Sequence, residues 1–216
     1  MRKIYLHICS FCCLLLLNFS CKEIVTVQKL ELYDETLAAD TNSINGFNAT
    51  TIFGDDYDKS VWVSPEVECV QMRSEKTNVY SGNGALKVTW NKIAGGCKWI
   101  GIGFGWNNWM AKDMLDISQI AAVEMQVKAV KGSFKNLPVA FAFEDYSGVQ
   151  AYYGFRYELA SGEFNDKTWT AVTIPLSKFE LDTKDFNLEK VKQFVIQLEG
   201  DGDIYLDNIR FITLKQ

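Results

Sequence analysis

Histidine is almost missing from this chain. The only one among 216 residues is His7, and it falls in a leader segment that is expected to be removed. A body without imidazole cannot build a Ser-His-Asp or Cys-His nucleophilic centre. Zinc and copper sites of the His or thiolate kind are excluded on the same inventory. Proline is scarce, with 3 residues, which rules out collagen-like and proline-rich classes. Positive charge is in deficit: 22 Lys and Arg stand against 27 Asp and Glu, a formal net charge of −5. A nucleic-acid partner therefore has no electrostatic footprint. Strong 3.6-residue periodicity is also lacking. What remains is 48% hydrophobic, 13% aromatic and 23% charged, a globular composition at a length that suits one domain.

The start of the chain reads as an address. Arg2 and Lys3 precede an apolar run over residues 8–17, too short for a membrane-spanning helix, which needs about 20 residues. Its length and flanks match the central region of a secretory signal. Asn18-Phe19-Ser20-Cys21 follows, a small residue directly before a cysteine. This resembles the lipoprotein signals of the Bacteroidetes. The resemblance implies a signal peptide over residues 1–20 and a lipidated Cys21; a tether over residues 21–28 and one domain over 29–216, which holds no repeat or linker, are expected to follow. The resemblance also implies a place in the bacterial cell envelope, held to the membrane by the lipid anchor alone. The plainer alternative is an ordinary signal peptide cut nearby, leaving Cys21 free. Cys9, Cys12 and Cys13 leave with the leader. Cys69 and Cys97 remain, and two cysteines in an exported body most often pair.

From Lys29 onward the dominant period is two. Residues 85–90 and 122–127 alternate, residues 137–143 are nearly all apolar, and residues 151–159 place Tyr153, Phe155, Tyr157 and Leu159 on one face. Further strands are expected at 30–33, 61–72, 98–104, 169–174, 193–198 and 203–212. Turn chemistry such as Ser81-Gly82-Asn83-Gly84 and Gly200-Asp201-Gly202 separates them. Many strands with almost no helix predict an all-β fold, an antiparallel β-sandwich or jelly roll around a single core. Residues 36–60 are polar and irregular, and are expected to form surface loops.

Several ordered segments carry a family resemblance. Leu32-Tyr33-Asp34-Glu35 is followed by Val79-Tyr80-Ser81-Gly82-Asn83-Gly84-Ala85-Leu86-Lys87-Val88. Leu115-Asp116-Ile117-Ser118, Trp169-Thr170-Ala171-Val172-Thr173-Ile174-Pro175 and Gly202-Asp203-Ile204-Tyr205-Leu206-Asp207-Asn208-Ile209-Arg210-Phe211 come after. Together they resemble the galactose-binding-like jelly rolls, including carbohydrate-binding modules similar to family 11. The resemblance implies glycan binding and a structural calcium tying the first strand to the last. Asp34, Glu35 and Asp207 stand at the matching positions; calcium needs several hard oxygen ligands, some of them backbone carbonyls. The other reading of Asp207 is a cap on a bulge in the last strand.

Two candidate binding features follow from the residues. Sugars present C–H-rich faces and many hydroxyls, so aromatic platforms and bidentate polar groups recognise them. Glu144 lies opposite Phe141 and Phe143 in strand parity. Gln150, Tyr152 and Arg156 lie opposite Tyr153 and Phe155, and Gln193, Gln197 and Glu199 lie opposite Phe194 and Ile196. If these strands adjoin, the polar sets line one surface; otherwise they form a solvated sheet face with cross-strand pairs such as Arg156–Glu144. The second feature is residues 99–109, where Gly101, Gly103 and Gly105 strip one strand face of side chains. Trp106 and Trp109, beside Asn107 and Asn108, are expected to stack on a sugar. Trp90, Trp99 and Trp169 are expected in the core, and Trp62 is left open.

The leading expectation is a non-catalytic module that captures an oligo- or polysaccharide on the concave face of the sandwich. A structural or assembly subunit that binds a protein through the same face is the second. A glycoside hydrolase is the third, because two carboxylates suffice for that chemistry and Glu144 with Glu199 is the pair on offer.

Overall fold

The computed structural model describes residues 27–30, 38–39, 51–57, 61–64, 68–106, 115–154, 164–181 and 185–214. Its strands are β1 Val27–Leu30, β2 Ala38–Ala39, β3 Thr51–Phe53, β4 Val61–Val63, β5 Val70–Glu75, β6 Ala85–Asn91, β7 Gly101–Trp106 and β8 Ile120–Ala129. They continue as β9 Ser133–Phe134, β10 Val139–Asp145, β11 Gln150–Gly154, β12 Phe164–Asn165, β13 Trp169–Pro175, β14 Val191–Leu198 and β15 Asp201–Leu214. Helix among the described residues is limited to 3-10 turns at Leu176–Lys178 and Leu188–Lys190.

Two sheets face each other. The first runs β1-β13-β8-β15-β6-β5, with β2 and β3 also paired to β15; the second runs β11-β10-β14-β7-β4. Alternation decides what lies between them. Phe104, Phe141, Phe143 and Phe194 of the second sheet meet Val88, Met125, Val127, Val172 and Leu206 of the first, all buried. Each large apolar side chain sealed in this way contributes about 1.5–3 kcal/mol. Trp106 stacks on Phe211 across the two sheets at 5.7 Å between ring centroids. The antiparallel sandwich is therefore as expected, with three differences of detail. β1 runs parallel to β13 and begins inside the segment read as a tether. Thr51–Phe53 is a strand rather than loop, because Ile52 and Phe53 are apolar enough to be buried. The segment expected as one strand over 61–72 divides between the two sheets as β4 and β5.

A smaller cluster sits on the opposite face of the first sheet. Trp169, Ala85 and Tyr205 are buried there, with Val79, Tyr80 and Val130 packed around them. A disulfide joins Cys69 to Cys97, 28 residues apart in sequence. Closing a loop of that size stabilises by about 3–4 kcal/mol in the chain-entropy view.

Asp207 explains the bulge in β15. The register shifts between Asp207 and Arg210, and Asn208 takes a positive φ of 47°. The buried Asp207 carboxylate accepts N–H bonds from Tyr80 (2.9 Å), Ser81 (3.3 Å) and Asn208 (2.7 Å). Asp55 serves the same loop, accepting from the N–H groups of Asn83 and Gly84. Burial pushes the Asp207 carboxyl up, the three N–H bonds pull it down, and the Asp55 charge adds to the rise.

Candidate functional site

The outward face of the second sheet follows from its register. Trp62 of β4 pairs with Gly105 of β7, Gly105 with Gln193 of β14, Gln193 with Glu144 of β10, and Glu144 with Gln150 of β11. Paired residues share a face, so one row crosses all five strands. The next row contains Gly103, Val195, Ala142 and Tyr152, and the one after it Gly101, Gln197, Ala140 and Gly154. Glu144, Gln150, Tyr152 and Gln197, expected on one surface, are thus brought together. Arg156 and Trp109 lie outside the described residues, as do Cys21, Asp34 and Glu35.

The tryptophans are redistributed. Trp106 is only 4% exposed. It shares strand parity with Ile102 and Phe104, so it points into the core and cannot serve as a sugar platform. Trp99 shares parity with Gly101 and emerges on the outward face, 57% exposed, where a core position was expected. Trp62 is 49% exposed on the same face. Two of the glycines make room for side chains on this face. A Cβ on Gly101 would lie 2.9 Å from the Trp99 ring, and one on Gly103 would lie 2.5 Å from Gln193 Oε1. Gly105 and Gly101, four residues apart on β7, set the two indoles about 13 Å apart along the strand direction. Counting parity back from Gly101 would have found Trp99. The outward turn of Trp62 had no comparable signal.

The polar groups form two charge-balanced chains. Glu144 accepts from Lys192 Nζ at 2.8 Å, and from the side-chain amides of Gln150 and Gln193 at 3.0 Å each. Lys192 reaches the face through a bulge: Glu144 pairs with Gln193 and Asp145 with Val191, so Lys192 is the additional residue. That bulge was not legible in the sequence, and neither was Lys192 as a partner of Glu144. Burial alone would raise the Glu144 carboxyl, but the Lys192, Gln150 and Gln193 hydrogen bonds and the Lys192 charge hold it below the usual range. The second chain runs from Gln197 to Glu199 and on to Lys92, whose Nζ lies 2.8 Å from Glu199 Oε2. Asp145, adjacent to Glu144 but buried, accepts from Ser147, Val149 and Asn187 N–H groups and shapes the turn after β10.

This geometry bears on catalysis and on metal binding. Glu144 and Glu199 are separated by the span from Gln193 to Glu199, about 20 Å of extended chain. Paired carboxyl groups that cleave a glycosidic bond stand about 5–9.5 Å apart, so these two cannot flank one bond. No cluster of three or more His, Cys, Asp or Glu side chains suited to a metal occurs among the described residues. The Asp207 carboxylate is engaged by backbone N–H groups, and so is the nearby Asp55. Asp207 is thus a loop anchor, and the calcium expectation rests on Asp34 and Glu35, which lie outside the described residues.

The sequence profile described as carbohydrate binding domain 30 matches residues 49–213. No curated protein matches the chain. Among solved structures, a family 30 carbohydrate binding module is similar with a TM-score of 0.58 and 16% identity, covering 77% of this chain and 88% of that one. The family 30 module of a cellulosomal cellulase from Clostridium thermocellum is similar with a TM-score of 0.54 and 15% identity, covering 77% and 98%. An exo-beta-agarase is similar with a TM-score of 0.51 and 12% identity, covering 78% of this chain and 26% of that one. At these identities the likeness is one of fold.

Proposed function

The chain belongs to the carbohydrate binding domain 30 family, and from that premise we propose that the outward face of its second sheet holds an oligo- or polysaccharide without cleaving it. The observation that carries the reading is the row Trp62–Gly105–Gln193–Glu144–Gln150, together with Trp99 laid over Gly101. Two exposed indoles offer apolar faces to the C–H surfaces of sugar rings. The amides of Gln150, Gln193 and Gln197 and the two carboxylates lie within reach of the hydroxyls. The glycine track lets Trp99 and Gln193 lie flat against β7, so a glycan can run along them. Each carboxylate has its own lysine, which suits an uncharged saccharide better than a uronate or a sulfated one.

The absence of cleavage belongs to the same reading. A general acid needs a carboxyl kept protonated near neutrality, whereas Glu144 is held ionised. Lipidation at Cys21, which the apolar run and Ser20-Cys21 support, would hold the module at a bacterial membrane surface, where it would retain glycan for proteins that degrade or import it. A glycan array carrying β-glucan, xylan and agar oligosaccharides tests the central claim. Saturable binding to an uncharged oligosaccharide, with no new reducing ends released, is expected. Binding to none of them sinks it. A protein partner on this face is the second outcome to examine, through pull-down with and without competing glycan.

A further inference from the structure

Trp99 sits on a loop whose two halves are anchored differently. Lys92 to Ala94 are tied to β15 and its approach. Ile93 and Ala94 N–H groups donate to Asp201 Oδ1 at 2.8 and 3.4 Å, and Lys92 N–H donates to the Gly200 carbonyl at 3.2 Å. The second half is tied back only to the first: Gly95, Gly96 and Cys97 N–H groups donate to the Asn91, Ile93 and Lys92 carbonyls at 2.6, 3.2 and 3.0 Å, while Lys98 and Trp99 make no hydrogen bond among the described residues. The chain is fixed again at Ile100, which is buried and accepts from Leu198 N–H at 3.0 Å.

The indole is therefore suspended between Ile100 and the Cys69–Cys97 bridge. Cys69 is itself buried in the core at the foot of β5. Gly95 lets the loop close on the bridge, since a Cβ there would lie 2.6 Å from Cys69 Sγ. An indole 57% exposed has little packing to keep it in place, and ordering a free side chain upon binding weakens affinity. We propose that the Cys69–Cys97 disulfide is a positioning element of the binding face. By fastening the Trp99 loop to the first sheet, it holds the indole over Gly101 in the pose that receives a sugar ring. This rests on the reading of the second sheet as the glycan-binding face.

The test is calorimetric titration with cellohexaose, or with the strongest oligosaccharide of the array if cellohexaose does not bind. Four proteins are compared: wild type, Cys69→Ala/Cys97→Ala, Trp99→Ala and the triple variant. Loss of the bridge should weaken binding by about two- to tenfold, and it should have no further effect once Trp99 is gone. Equal losses with and without Trp99, or unchanged affinity without the bridge, would overturn the proposal. If the bridgeless variant does not fold, mild reduction of the folded wild type replaces it. Asp201→Ala, which removes the acceptor of the Ile93 and Ala94 N–H groups but keeps the bridge, should bind within about twofold of wild type; a loss as large as that of the bridge would also overturn it. Hydrogen exchange separates this proposal from the functional reading. If oxidised wild type binds no glycan, the face assignment fails. Faster exchange at Lys98–Gly101 on bridge loss, with the β7 and β14 amides still protected, would still uphold the positioning role, and unchanged exchange there would end it.

Discussion

The ring of Trp90 occupies the space that a side chain on Gly202 would need. The two residues pair directly across β6 and β15, and a Cβ on Gly202 would fall against Trp90 Cζ2. The indole is buried, and its Nε1–H donates to the Glu199 carbonyl at 3.0 Å. The glycine at this place is thus a packing requirement between the last strand and the core.

Gly202→Ala should therefore destabilise by about 1–3 kcal/mol, the usual cost of overpacking a filled site. For a chain of this size the melting temperature should fall by about 2–4 °C per kcal/mol. A melt indistinguishable from wild type would show that Trp90 can move aside without cost.

Trp62 and Trp106 should separate binding from folding. Trp62→Ala is expected to weaken glycan binding by about tenfold or more, as loss of an aromatic anchor does, and to leave the melting temperature within about 2 °C. Trp106→Ala removes a core ring stacked on Phe211 and should cost about 3–5 kcal/mol of stability. Paired melting and titration of the two variants decides the matter; the reverse pattern would return the platform to Trp106.

Acid should reveal Glu75. Its carboxylate accepts the Thr77 hydroxyl, then the Thr77, Asn78 and Lys76 N–H groups, and these bonds hold it down to about 2 from 4.5 against the opposing effect of burial. A carboxyl lowered by folding stabilises above its unfolded value and loses that contribution as pH falls through the folded one. Glu75→Gln should melt below wild type at neutral pH, and the gap should close between pH 4.5 and about 2. A gap that persists at the acid end would show that the charge is not what stabilises.

Asp207 offers a test of its two readings. As an anchor for the Tyr80, Ser81 and Asn208 N–H groups, it should cost about 3 kcal/mol when replaced by alanine, because three part-buried donors lose one charged acceptor together. The melting temperature should not respond to EDTA or to added calcium. A fall with chelator, restored by calcium, would favour the ion expected from Asp34, Glu35 and Asp207.

Much of the face was legible because strand parity is strict. Glu144, Gln150, Tyr152 and Gln197 alternate with apolar neighbours, and a two-residue period allows them only one side. The same rule, applied to Trp99 and Trp106, would have exchanged them; the polar Asn107-Asn108 neighbourhood outweighed it. Lys192 could not have been found that way. A bulge breaks the period on which the reading depends, and nothing in Val191-Lys192-Gln193 announces it. Strand order was hidden for a related reason. Which of β7, β10 and β14 adjoin is decided by contacts between segments far apart in sequence, and local pattern does not encode those.

The final strand has a consequence for how the molecule is made. β15 lies in the middle of the first sheet, with β8 on one side and β6, β2 and β3 along the other. Until residues 201–214 leave the ribosome, the earlier strands have a vacant centre and no route to a closed sheet. Such long-range pairing makes for slow assembly. It also keeps the nascent polypeptide open until its last strand arrives.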